Sequence, residues 1–194
     1  MIIIISASQL LAERRITMKY YGVKELAVGS RTVRGNTIHI AQDIPEDKYG
    51  FKPAPEYRSV AQLLTHIALA SRFQYQLHAV EKRTTMEGLD FPSLMKQIME
   101  EEAKPRTKPQ LITLLQDEGE KWASWIDGLS EEFLGQRVDM PQGSTPPYKS
   151  RFEMILSVKE HEMHHRGQLM LIERLLGIVP HLTREREARM AQNK

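Results

Sequence analysis

The chain has 194 residues, with 27 lysines and arginines against 25 aspartates and glutamates, a formal net charge of +2 and no cysteine. That length suits one domain with a sizeable core, and the near balance of charge sets up no strong field toward nucleic acid or a membrane surface. Without thiols, disulfides and thiolate metal sites are excluded, so any metal must be held by histidine, carboxylate and water.

The opening Met1-Ile2-Ile3-Ile4-Ile5 is apolar but lacks a basic lead-in. It breaks into Ser6-Ala7-Ser8-Gln9, too short for a secretory core or a membrane span. Residues 1–20 are therefore expected to be an N-terminal extension to a domain over 21–180, in a soluble, cytoplasmic protein. From 23 to 44, Leu26, Ser30, Val33, Thr37, Ile40 and Ile44 recur at spacings of four and three, which predicts a helix closely packed on others and stopped by Pro45. Residues 46–57, with Pro53, Pro55 and Gly50, form a loop. Ser59 then caps a second helix, with Gln62 placed for a capping box. Along that helix Leu63, His66, Ala70, Phe73 and Leu77 share one side. A lone histidine in such a stripe is more commonly a hydrogen-bonded core residue than a ligand.

After a connection over 81–90, a short amphipathic helix is expected at 92–102, carrying Leu94, Ile98 and Met99. The run Lys104-Pro105-Arg106-Thr107-Lys108-Pro109 breaks it, and a third long helix follows at 110–127 with Leu111, Leu115, Trp122, Trp125 and Ile126 inward. Glu118 falls on the same stripe, where a carboxylate is either a further ligand, an acid/base group or a residue reaching water. Residues 129–150 hold two glycines and three prolines, a long loop before the last long helix. That helix runs from about 151 to 176 and stops at Gly177 and Pro180. Residues 181–194 are expected to be a charged C-terminal tail, and no segment shows the alternation of a strand. The fold class is thus all-α, an antiparallel four-helix bundle with a short inserted helix.

The last helix carries Glu160-His161-Glu162-Met163-His164-His165-Arg166-Gly167-Gln168. A helix turns about 100° per residue, so His161 and His165 lie one turn apart and lean over the same face. His165 falls within the apolar stripe of Met154, Ile155, Val158, Leu169, Ile172 and Leu176, with His161 on its flank. Two imidazoles there need ligands, hydrogen bonds or water. If the second and fourth long helices are neighbours, His66 completes a three-histidine site with His161 and His165, leaving an ion the open position expected of catalysis. Gln168, one turn beyond His165, is placed to orient a ligand or a water molecule. His164 and Arg166 point away from the core. A second apolar band, Phe152, Leu156, Met163 and Met170, is expected to pack on a partner chain or on the inserted helix.

Two stretches, Arg58-Ser59-Val60-Ala61-Gln62-Leu63-Leu64-Thr65-His66-Ile67-Ala68 and His161-Glu162-Met163-His164-His165-Arg166-Gly167-Gln168-Leu169, together with Ile44-Pro45-Glu46-Asp47-Lys48-Tyr49-Gly50-Phe51, make the chain resemble the DinB-like (YfiT-like) superfamily of metal-binding four-helix bundles. The resemblance runs from about residue 21 to 177. It implies a divalent metal, zinc, nickel, iron or manganese, held by His66, His161 and His165, with a low-molecular-weight thiol as cosubstrate in some members, a small-molecule substrate and a homodimer. It implies a site more than a reaction: a metal-dependent thiol S-transferase or hydrolase, or a non-catalytic helical dimer with a structural or vestigial metal. A third reading is the zincin pattern H-E-x-x-H, met literally by His161-Glu162-Met163-His164-His165, with Glu162 as general base for peptide hydrolysis. Against it, Gln168 and Leu171 stand where the longer metzincin pattern needs glycine and histidine.

Overall fold

A computed structural model of the chain describes residues 21–192, so the expected N-terminal extension lies outside the described residues. In chain order the elements are α1 (Val23–Asp43), a 3-10 turn over Glu46–Lys48, α2 (Val60–Tyr75) running on into a π-helical turn over Gln76–Val80, α3 (Phe91–Glu102), α4 (Lys108–Asp127), α5 (Glu131–Gly135), β1 (Arg137–Asp139), β2 (Tyr148–Ser150), α6 (Arg151–Leu175) and α7 (His181–Gln192). The four long helices α1, α2, α4 and α6 make the expected bundle. Three of them start on a reciprocal capping box: Ser59 with Gln62, Thr107 with Gln110, and Ser150 with Glu153. Each box satisfies two backbone N–H groups that the first turn would otherwise leave unpaired. Gly177, at φ +78°, ends α6, and the Ile178 N–H returns to the Glu173 carbonyl at 2.8 Å. A left-handed residue at that position is the conformation glycine adopts without strain.

Each long helix has two bundle neighbours: α1 packs on α4 and α6, and α2 packs on α4 and α6. Consecutive helices α1 and α2 therefore lie across the bundle from each other. The Lys108 ammonium reaches the Gln42 and Ile44 carbonyls while Arg31 pairs with Asp127, so α1 and α4 are antiparallel. Tyr21 meets Lys159 and Thr37 meets Glu162, so α1 and α6 run parallel. The pairing of α2 with α6 is antiparallel, His66 lying opposite His161 and Ala70 and Gln74 opposite Ser157. The long connections over 44–59, 76–107 and 128–150 are what permit this order, since a short turn can join only adjacent antiparallel helices.

One apolar cluster gathers Ile40, Ile44, Leu64, Ile67, Leu111, Leu115, Leu169 and Ile172 from all four long helices. A second, toward the other end, gathers Leu26, Trp122, Ile126 and Ile155. The expected second band of α6 is largely covered within the chain: Phe152 and Leu156 pack on this second cluster and Met170 on the first, while Met163 stays exposed. The inserted helix α3 packs on α2.

Two features depart from the sequence expectation. The loop before α6 contains an antiparallel ribbon, β1 with β2 in the register Val138 opposite Lys149. Val138 is fully buried there against Leu77 and Met154. Strands of three residues are too short to display alternation, so the signal was absent rather than misleading. The charged C-terminal segment is helical over His181–Gln192, anchored by the buried His181 and by an ion pair of Arg184 with Asp43 on α1 at 2.7 Å. No helix among the described residues is long and apolar enough to cross a membrane.

Candidate metal centre

His66 stands on α2, seven residues after its cap, and His161 and His165 stand one turn apart on α6. The antiparallel contact of the two helices brings the three rings together. His161 Nε2 lies 3.1 Å from His66 Nε2 and 3.1 Å from His165 Nε2, and one ring nitrogen from each residue lies within 4.8 Å of the others. Ring centroids are 4.4 to 4.9 Å apart.

Hydrogen bonding at the far side of two rings decides which nitrogens carry lone pairs. His66 Nδ1 is 2.5 Å from Glu102 Oε1, and His165 Nδ1 is 2.8 Å from Gln168 Oε1. Both partners are acceptors, so each Nδ1 carries the proton and each Nε2 presents a lone pair inward. His161 can donate its single proton to only one of them, and its Nδ1 has no partner among the described residues. Three inward nitrogens with at most one proton among them are poorly satisfied by one another and well satisfied by a cation. Burial, followed by the neighbouring His165 and His66, pushes the His161 imidazole down to about 4. Burial also lowers His165, against the opposing effect of the hydrogen bond it donates to Gln168. Both rings are therefore neutral near pH 7, the form in which imidazole ligates. The donor set fits a divalent ion of the imidazole-binding class.

The profile of the DinB superfamily matches residues 31–169, which include all three histidines of the triad. The chain belongs to the DinB superfamily. It is 30% identical over 144 residues to the uncharacterized protein YjoA of Bacillus subtilis, covering 74% of this chain and 84% of that one. The crystal structure of YjoA, a DinB-like protein, matches with a TM-score of 0.58 at 22% identity over 79% of this chain and 92% of that one. YfiT from Bacillus subtilis, described as a probable metal-dependent hydrolase with an unusual four-helix bundle topology, matches with a TM-score of 0.61 at 13% identity, covering 90% and 91%. DfsB, a sibling lethal factor precursor, gives 0.60 at 16% identity over 83% and 100%. The four-helix frame is thus shared at identities where side chains have largely diverged.

Within this DinB-superfamily chain the remaining sequence candidates separate cleanly. Glu162, required as base by the peptidase reading, is buried on the side of α6 that faces α1. Arg34 holds it through Nε at 2.9 Å and Nη2 at 2.9 Å, and the Thr37 hydroxyl donates to it at 2.7 Å. Its carboxylate is thereby committed to the bundle core. Glu118 accepts from Arg72 at 2.6 Å across the α2–α4 seam. His164 is exposed and meets Gln168 Nε2 at 3.2 Å, so Gln168 links it to His165.

Sequence reasoning missed Glu102, which lies 36 residues from His66 in the chain and is the buried residue of α3. Its second oxygen accepts from Arg58 Nε at 2.9 Å. Burial works to raise this carboxyl, but the hydrogen bonds from His66 and Arg58 outweigh it and hold it below its ordinary value. Carboxylate, imidazole and the inward Nε2 thus form a chain of the kind that orients metal ligands.

The triad lies between two cavities. An open cleft of about 1190 Å³ is lined by Tyr57, Arg58, Met95, Glu102, His165 and Gln168, among others. A smaller, mainly apolar one of about 290 Å³ is lined by His66, His161, Phe73, Phe91 and Met95. Met95 of α3 borders both.

Proposed function

We propose that the protein is a divalent-metal-dependent enzyme that activates a thiol or a water molecule for transfer to, or hydrolysis of, a small molecule, with His66, His161 and His165 as ligands. The carrying observation is the convergence of the three Nε2 atoms beside two cavities. A divalent ion supplies Lewis acidity there, making a bound water or thiol a better nucleophile near neutral pH. Glu102 and Gln168 fix the ring planes of His66 and His165, so the ligands need little reorganisation to bind. The larger cleft is lined by Lys52 and Arg58 with Glu56 and Glu102, balanced charge beside apolar Met95 and Leu171, which suits a small molecule with a polar group and an apolar body. The likeness to YfiT, described as a probable metal-dependent hydrolase, supports the hydrolytic branch. A homodimer belongs to the same reading, with Met163, Leu171 and Leu175 as exposed apolar residues of α6 available to it.

Elemental analysis and calorimetric titration of untagged protein test the ligand set. Each of His66→Ala, His161→Ala and His165→Ala should lose one metal equivalent that the wild type holds. Variants binding as many equivalents as the wild type, with equal affinity, would overturn the assignment. A screen of low-molecular-weight thiols against electrophiles, and of esters and amides against water, tests the chemistry. Turnover lost on chelation and restored by one metal supports it; no turnover across the screen would favour a non-catalytic helical dimer instead.

A further inference from the structure

A second group of ligating side chains lies at the other side of α1, independent of the triad. His39 of α1 and His181 and Glu185 of α7 each offer one donor atom, and the three atoms lie within 4.8 Å of one another. His181 and Glu185 are four residues apart on α7, so one helical turn places them on the same face. His39 and Glu185 are exposed, but His181 is only 4% exposed. One of its nitrogens, Nε2, lies 3.3 Å from Asn36 Oδ1 of α1; the other, Nδ1, is buried with no hydrogen-bond partner. Asn36 Oδ1 is an acceptor, so the proton sits on Nε2 and the unpartnered Nδ1 is left with a lone pair. A buried imidazole with one nitrogen held by an amide oxygen and the other unused is how a ligating histidine is prepared. Its ring meets that of His39 edge to face, with centroids 5.0 Å apart and planes at 79°, close without being stacked.

The charge around the group suits a dication. Glu185 sets a carboxylate beside the imidazoles of His39 and His181. Arg184 is paired with Asp43 at 2.7 Å, so those two charges largely cancel and Glu185 is left as the acid of the group. We propose that His39, His181 and Glu185 form a second divalent-metal site, for an imidazole-preferring ion such as zinc, copper or nickel, that fastens α7 to α1. Two imidazoles and one carboxylate leave room for water in the coordination shell, and the exposure of two ligands makes the site exchangeable.

Titration of the untagged full-length protein with zinc, followed by calorimetry, tests the site. Two equivalents are expected in the wild type. His39→Ala combined with Glu185→Gln, both exposed positions that leave the buried His181 in place, should weaken one equivalent at least tenfold and leave the other unchanged. In His66→Ala protein the equivalent bound at α7 should persist. Limited trypsin digestion gives a readout separate from binding, because α7 carries Arg184, Arg186 and Arg189. Saturating zinc should slow cleavage there several-fold in the wild type and not in the double variant. A single equivalent in the wild type, or a second one of unaltered affinity in the double variant, overturns the proposal.

Discussion

Glu102 closes a helix whose own apolar pattern points elsewhere: Met99, expected inward on α3, is 62% exposed, while the carboxylate three residues on is buried. The sequence made His66, His161 and His165 legible because helical spacing alone puts two of them on one face and the third in a core stripe. It could not make Glu102 legible, because the contact joins residues 36 apart through an insert whose docking on α2 no local pattern encodes. Substituting Glu102→Gln keeps the size of the side chain but removes the charge that holds His66 Nδ1–H. Metal affinity at the triad should fall about 10–100-fold, with a thermal midpoint close to that of the wild type, as calorimetry and circular dichroism would register.

At the scale of elements, the contact of α1 with α6 and α4 is built around a buried ion pair that periodicity concealed. Arg34 was invisible as a core residue because a charged side chain breaks the apolar stripe of α1. It is nonetheless buried, donating to Glu162 and to the Leu115 and Ile67 carbonyls, and so ties α1 to α6, α4 and α2 at once. Gly119 makes room for it: a Cβ there would stand 2.6 Å from Arg34 Cγ. Gly119→Ala should therefore destabilise the fold by about 1–3 kcal/mol, measured by urea unfolding. Glu162→Gln leaves the guanidinium without its counter-charge and should cost about 3–5 kcal/mol. Its metal stoichiometry should be unchanged, which separates a structural glutamate from a metal ligand. The helices themselves were readable from their caps and stops, whereas α7 was not. Its one buried residue is a histidine, and an otherwise charged sequence gives no stripe to find.

For the whole molecule, two buried groups set opposing pH dependences. Burial first, and Asp43 second, push the Glu173 carboxyl from its ordinary 4.5 up to about 7. The folded state then holds a proton that the unfolded state has released, so this group's stabilisation is complete below about 4.5 and lost as pH rises through about 7. Burial first, and Arg151 second, push His78 from 6.5 down to about 4. Here the unfolded state binds the extra proton, so the contribution is complete above about 6.5 and lost as pH falls through about 4. In metal-free protein His161, which burial also holds at about 4, adds to the His78 slope, and Glu173 opposes both. The change of unfolding free energy with pH between 4.5 and 6.5 should therefore be more positive than in the wild type in Glu173→Gln and less positive in His78→Gln, each by about 1–2 kcal/mol. Parallel slopes in the two variants would contradict this. The bundle frame and the order of its helices follow from the long helices and their connections, but the insert α3 belongs to a different economy of change. It contributes the acid that steadies one imidazole and the methionine that borders both recesses. Lengthening, shortening or rotating that single segment would retune donor basicity and substrate fit in one step while sparing the scaffold, which makes it the natural place for related chains to diverge in chemistry.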